Sequence, residues 1–109
     1  MFWKKKDKKP KTMTLVKYRS VFTTIDGVNH IGCSYNWADY EIDVEDAHRC
    51  DIASKGYILD KNGTMYPLAN VLSIDFEVVD CKKVIDDFYH EWQWFFSNEE
   101  VAKMTEYHE

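Results

Sequence analysis

Apolar and polar positions alternate with period two over most of the first eighty residues. Residues 12–37 read as one long hairpin, because Asp26-Gly27 between Ile25 and Val28 has the chemistry of a two-residue type I′ turn. Pairing Ile25 with Val28 sets a register in which Phe22 meets Ile31, Ser20 Cys33, Tyr18 Tyr35 and Val16 Trp37 on one face. On the other face Val21 meets Gly32, Arg19 meets Ser34 and Lys17 meets Asn36. Apolar then lies opposite apolar on the first face, as a half-buried sheet requires. Residues 38–46 alternate again, with Tyr40, Ile42 and Val44 on one side and Asp39, Glu41, Asp43 and Glu45 on the other. That pattern predicts a strand with four carboxylates in a row. Residues 47–56 fit a short helix or a loop ending at Gly56. Beyond them, Asp60-Lys61-Asn62-Gly63 reads as a type I turn closed by a left-handed glycine, and pairing should break or reach an edge at Pro67. Residues 70–79 place Leu72, Ile74, Phe76 and Val78 inward and Ser73, Asp75 and Glu77 outward.

The period then changes. At about 100° per residue, Val84, Ile85, Phe88, Tyr89, Trp92, Phe95 and Phe96 share an arc of about 140°, opposite Asp86, Asp87, His90, Glu91 and Gln93. An aromatic amphipathic helix over about 81–96 follows, with Asp80 as its N-cap. Trp94 projects away from the apolar arc, among His90, Asp87 and Glu91. Ser97-Asn98-Glu99-Glu100 has the capping-box pattern and predicts a short final helix carrying Val101 and Met104. The expected fold is α+β: an antiparallel sheet or small, partly open barrel of five to six strands over residues 13–79, covered by the aromatic helix. Its expected core is that helix with Phe22, Ile31, Tyr35, Trp37, Leu72, Ile74 and Phe76.

A length of 109 residues bounds one domain, taken as residues 12–109 behind a flexible basic tail of residues 1–11. With 45% hydrophobic and 16% aromatic residues, a wholly disordered chain is excluded. The net charge of −5 conceals a split. Six lysines against Asp7 give the tail +5, while eight basic and eighteen acidic residues give the body −10. Such a body repels nucleic acid and anionic lipid, so only the tail, MFWKKKDKKPK, offers weak contact with a membrane or nucleic acid. An odd count of three cysteines, with no CxxC and no leader, reads as a reducing, cytoplasmic setting.

Candidate chemistry is sparse. The hairpin register sends His30 and Cys33 to opposite faces, and His48-Arg49-Cys50 lacks a second pair at zinc-site spacing. Cys50 has acidic neighbours, Asp46 and Asp51, the opposite of the electropositive setting a reactive thiolate needs. Nothing resembles a phosphate loop or a serine elbow. The expectation is therefore no enzyme, no metal and no cofactor. Two features favour protein contact instead. Trp94, with His90 and Asp87, has the character of an interface anchor. The strip Asp39, Glu41, Asp43 and Glu45, continued by Asp75 and Glu77 if the strands are neighbours, would dock on a basic surface. The plain alternatives are a tryptophan covered by the final helix and a solvated acidic face that keeps the sheet soluble. The leading expectation is a soluble accessory module that binds a protein partner or forms a homo-oligomer. The alternative is an acidic nucleic-acid mimic that inhibits a nucleic-acid-binding protein.

Overall fold

The computed structural model describes residues 10–86 and 93–108. In chain order these form β1 (Thr12–Thr24), β2 (Asn29–Ser34), β3 (Trp37–Asp39), α1 (Val44–Lys55), β4 (Tyr57–Leu59), β5 (Met65–Pro67), one turn of 3-10 helix (Leu68–Asn70), β6 (Val71–Ile85), β7 (Phe95–Phe96) and α2 (Asn98–Ala102). The architecture is α+β and mostly antiparallel sheet. β1 is its axis. β6 pairs along one edge of β1, from Thr12↔Ile85 to Thr24↔Val71. The other edge is shared in tandem by β2, beside the C-terminal half, and β3, beside Leu15 and Val16. β7 adds outside β3, while β4 and β5 make a separate hairpin.

Side chains on β1 alternate between faces, and its two ends pack into different clusters on opposite faces, with Val16 buried on the face of Phe22. Near the β1–β2 turn, Phe22 packs with Ile52 of α1 and Ile58 of β4, backed by Tyr66, Leu68, Val71, Ile74 and Phe76. At the opposite end, Met13 and Leu15 point the other way and pack with Trp37, Val84, Phe96 and Val101, with Met104 against them. Between the two clusters Val79 is an extra residue on β6, at the register shift from Lys17↔Asp80 to Tyr18↔Val78.

The first hairpin forms with a longer turn than the sequence predicts. Gly27 takes φ 82° and its N–H donates to the Thr24 carbonyl at 2.8 Å, while Thr24 N–H donates to Val28 O at 3.0 Å. The loop is therefore Ile25-Asp26-Gly27, with the Asp26 carboxylate accepting from the Val28 N–H and the Thr24 hydroxyl. One extra loop residue moves the register by one, so Phe22 faces His30 and Val21 faces Ile31. A bulge then restores the expected pairing. Gly32 and Cys33 together oppose Ser20, after which Arg19 meets Ser34 as predicted and the Tyr35 N–H donates to Tyr18 O at 2.9 Å. Ile31 and Leu72, both expected in the core, are exposed, whereas Tyr35, Ile74 and Phe76 are half-buried. The second turn is as expected: Gly63 has φ 83°, its N–H donates to Asp60 O, and the Asp60 carboxylate accepts from the N–H groups of Asn62 and Thr64.

Two predicted elements are corrected. The alternating stretch 38–46 is not a strand throughout. β3 stops at Asp39, and Asp43 caps α1 by accepting from the Asp46 N–H at 3.2 Å. Glu45 and Asp46 in the first turn suit the positive end of the helix dipole, and Gly56 at φ 82° closes the helix. The helix expected over 81–96 is also absent at both of its described ends. Residues 81–85 continue β6, and Phe95 and Phe96 form β7. Asp80 is a strand residue, its carboxylate accepting from the Cys81 N–H. Residues 87–92, which include Asp87, Phe88, His90 and Trp92, lie outside the described residues, as do residues 1–9 of the tail. The final helix forms with the predicted capping box between Ser97 and Glu100, and Val101 is buried.

Candidate interaction surface

The surface is built where β3 meets β7. Trp37 pairs with Phe96 and Ala38 with Phe95, so alternation buries Phe96 beside Trp37 and turns Phe95 to the other face. The chain reaches this ladder through Trp94, whose carbonyl accepts the Asp39 N–H at 3.1 Å. Trp94 is 58% exposed; on the opposite face Phe95 of β7 is 36% and Tyr40, just past β3, 65% exposed. Tyr40 is itself fixed through its N–H to the Thr14 carbonyl at 2.9 Å. Buried Trp37, by contrast, has its indole N–H on Asn98 Oδ1 at 3.0 Å, which also accepts from Lys17 Nζ.

Sequence reasoning held Trp94 and the acidic strip from Asp39 as two separate features, and the main-chain bond between Trp94 and Asp39 brings them together. Glu41 follows, with its N–H on the Asp39 carboxylate at 3.0 Å, and Asp43 and Glu45 stand at the start of α1. The four carboxylates thus turn a corner, from strand through turn to helix, in place of the predicted row. Asp75 and Glu77 do not extend them. Both lie on β6, which β1 separates from β3, opposite Val21 and Arg19. Predicted His90 and Asp87 lie outside the described residues. The acidic helix start is nonetheless felt at Tyr18, whose hydroxyl pKa is raised, first by burial and then by the charge of Glu45.

One constellation was not visible in the sequence. His48 of α1 stacks on Tyr35, with ring centroids 3.9 Å apart and planes at 19°, and lies 5.8 Å from Phe76 and 6.1 Å from Phe95. Burial lowers its pKa, opposed by the charge of Asp51. Phe95 therefore belongs to this ring cluster, on the face opposite Trp94. Cys50, two residues from His48, diverges from it by about 200° once the segment is helical. Among the described residues, no three His, Cys, Asp or Glu side chains gather to hold a metal, and no helix is long and apolar enough to cross a membrane. Comparison with models of known families, with curated proteins and with solved structures returned no match.

Proposed function

We propose that this chain is a non-enzymatic protein-binding module that works by contact with a protein partner or a second copy of itself. The observation that carries the reading is Trp94, held in place by a main-chain bond to Asp39 yet 58% exposed, while Tyr40 and Phe95 are exposed on the other face of the same ladder. A tryptophan kept out of a core is uncommon on a surface that touches only water, and such residues anchor interfaces. The acidic turn at Asp39, Glu41, Asp43 and Glu45 supplies a polar rim suited to basic residues on the other side. A nucleic-acid decoy would need carboxylates repeating along one line, and here they do not.

The test is Trp94→Ala in the full chain. Far-ultraviolet circular dichroism should be unchanged, while association measured by light scattering after size exclusion, or with a captured partner, should weaken by about 2 kcal/mol, roughly thirtyfold in Kd. Loss of folded structure, or association equal to wild type, would remove the proposal.

A further inference from the structure

We propose that the outer edge of β6 takes up an extended peptide in which apolar and basic side chains alternate. This surface is distinct from the Trp94 rim and does not depend on it.

β6 pairs with β1 along one edge only, and the C-terminal end of its other edge is already used as a pairing site. There Val84 bridges to Glu106, Ile85 N–H donates to Thr105 O and Tyr107 N–H to Lys83 O, both at 2.8 Å. The next outward amide, that of Cys81, is closed by the Asp80 carboxylate at 2.8 Å. Beyond it the edge is open. Tyr18 O and Thr24 N bond across to β2, so the even-numbered residues between them turn their main chain toward β2 and away from β6. Their partners on β6, Val78, Phe76 and Ile74, therefore point their own N–H and C=O groups away from β1. Among the described residues these groups have no partner.

The same register sorts the side chains. Ile74, Phe76 and Val78 share the face that carries Phe22, whereas Asp75, Glu77 and Asp80 share the face that carries Arg19 and Val21. The open edge is thus apolar on one side and acidic on the other. A groove of about 520 Å³ runs beside it, lined by Arg49, Leu68, Leu72, Ile74 and Asp75. Leu72 is 66% and Val78 56% exposed. Glu77 pairs with Arg19 through both Nε and Nη2, and Asp75 with Arg49 at 3.8 Å, yet the Asp75 and Glu77 side chains stay 77% and 44% exposed and keep room for a further cation. A strand added here bonds to the main chain of Ile74, Phe76 and Val78. Every second side chain then lies along their apolar face, and the intervening ones stand beside Asp75 and Glu77, where Lys or Arg is favoured. A second copy of β6 would instead bring its own carboxylates to the acidic side, so charge selects the basic peptide.

The probe is a blocked peptide of about ten residues alternating lysine and valine, added to the full chain. Its controls are a glutamate–valine peptide and a lysine–valine peptide interrupted by proline. Binding is followed by fluorescence anisotropy, and the edge by amide hydrogen exchange. The lysine–valine peptide should bind and slow exchange at Ile74, Phe76 and Val78 by about tenfold or more, and the proline-interrupted peptide should not. In Val78→Pro, which removes one outward donor, binding should fall. Asp75→Lys leaves the main chain intact and should shift preference toward the glutamate–valine peptide, which keeps the test decisive if Val78→Pro does not fold. No binding up to about 1 mM, equal binding of the glutamate peptide, or binding without protection of those amides overturns the proposal. So does protection that appears without peptide as protein concentration and mass rise together, which would make a second copy the occupant.

Discussion

Gly32 opposes Ser20 at the bulge in β2, where a Cβ would stand 1.9 Å from Ser20 Oγ and 2.9 Å from its carbonyl oxygen. The hydroxyl could rotate away, but the carbonyl is part of β1 and cannot. Gly32→Ala should therefore push β2 off β1 and cost about 1–3 kcal/mol by overpacking. A thermal melt would show it, and an unchanged Tm would mean that β2 slides freely. His48 makes a prediction about pH. Its folded pKa lies below the ordinary imidazole value of about 6.5 because burial among Tyr35, Phe76 and Phe95 disfavours the charged ring. The unfolded chain thus binds the proton more readily, so this contribution is fully present above about pH 6.5 and is lost as pH falls through the folded value. Between about pH 8 and pH 5, Tm should drop further in wild type than in His48→Phe, which keeps the stacked ring. Parallel curves would place the proton elsewhere. Asp26 and Asp60 act in a lower window. Asp26 is held down by the Thr24 hydroxyl and Asp60 by the Thr64 N–H, so both lose stability only below the carboxylate range.

At the scale of elements, what local chemistry specifies was legible and what a distant partner specifies was not. Ser97 and Glu100 satisfy each other's main-chain amides, so the final helix could be read from four consecutive residues. Ser97→Ala should remove about 1 kcal/mol in urea unfolding, and no change would mean that burial of Val101 alone holds α2. The Asp60 turn was legible for the same reason. Residues 38–46 satisfy two local rules at once, strand alternation and the Asp43 cap with acids in the first turn, and the cap prevailed. Residues 83–85 carry a helical period, yet they are strand because their main chain bonds to the start of β1 on one side and to residues 105–107 on the other. Neither partner is near in sequence. Of the candidate site, Trp94 stood out as the residue that broke a pattern, and it is exposed. The exposed Tyr40 and Phe95 on the opposite face became visible only when β3 and β7 were paired.

Across the whole molecule, the Cα positions extend 68 × 21 × 20 Å, and the two apolar clusters sit toward opposite ends and on opposite faces of the β1–β6 ribbon. Among the described residues no side chain belongs to both clusters. The shared strands and the ring contacts from Phe95 through His48 to Phe76 join them, so a loss at one end has few packed side chains through which to reach the other. Leu15 and Ile52 are both buried, one in each cluster, and truncation to Ala should cost about 2–5 kcal/mol in either case. The consequences should differ by place. Leu15→Ala should speed amide exchange at β3, Val84 and Val101 while leaving the amides around Phe22 and Ile58 protected, and Ile52→Ala should do the reverse. Two openings of separate free energy would follow from two cores on one ribbon. Exchange that rises equally at both ends in each variant would show instead that β1 and β6 transmit the loss along their full length, and that the molecule opens as one unit.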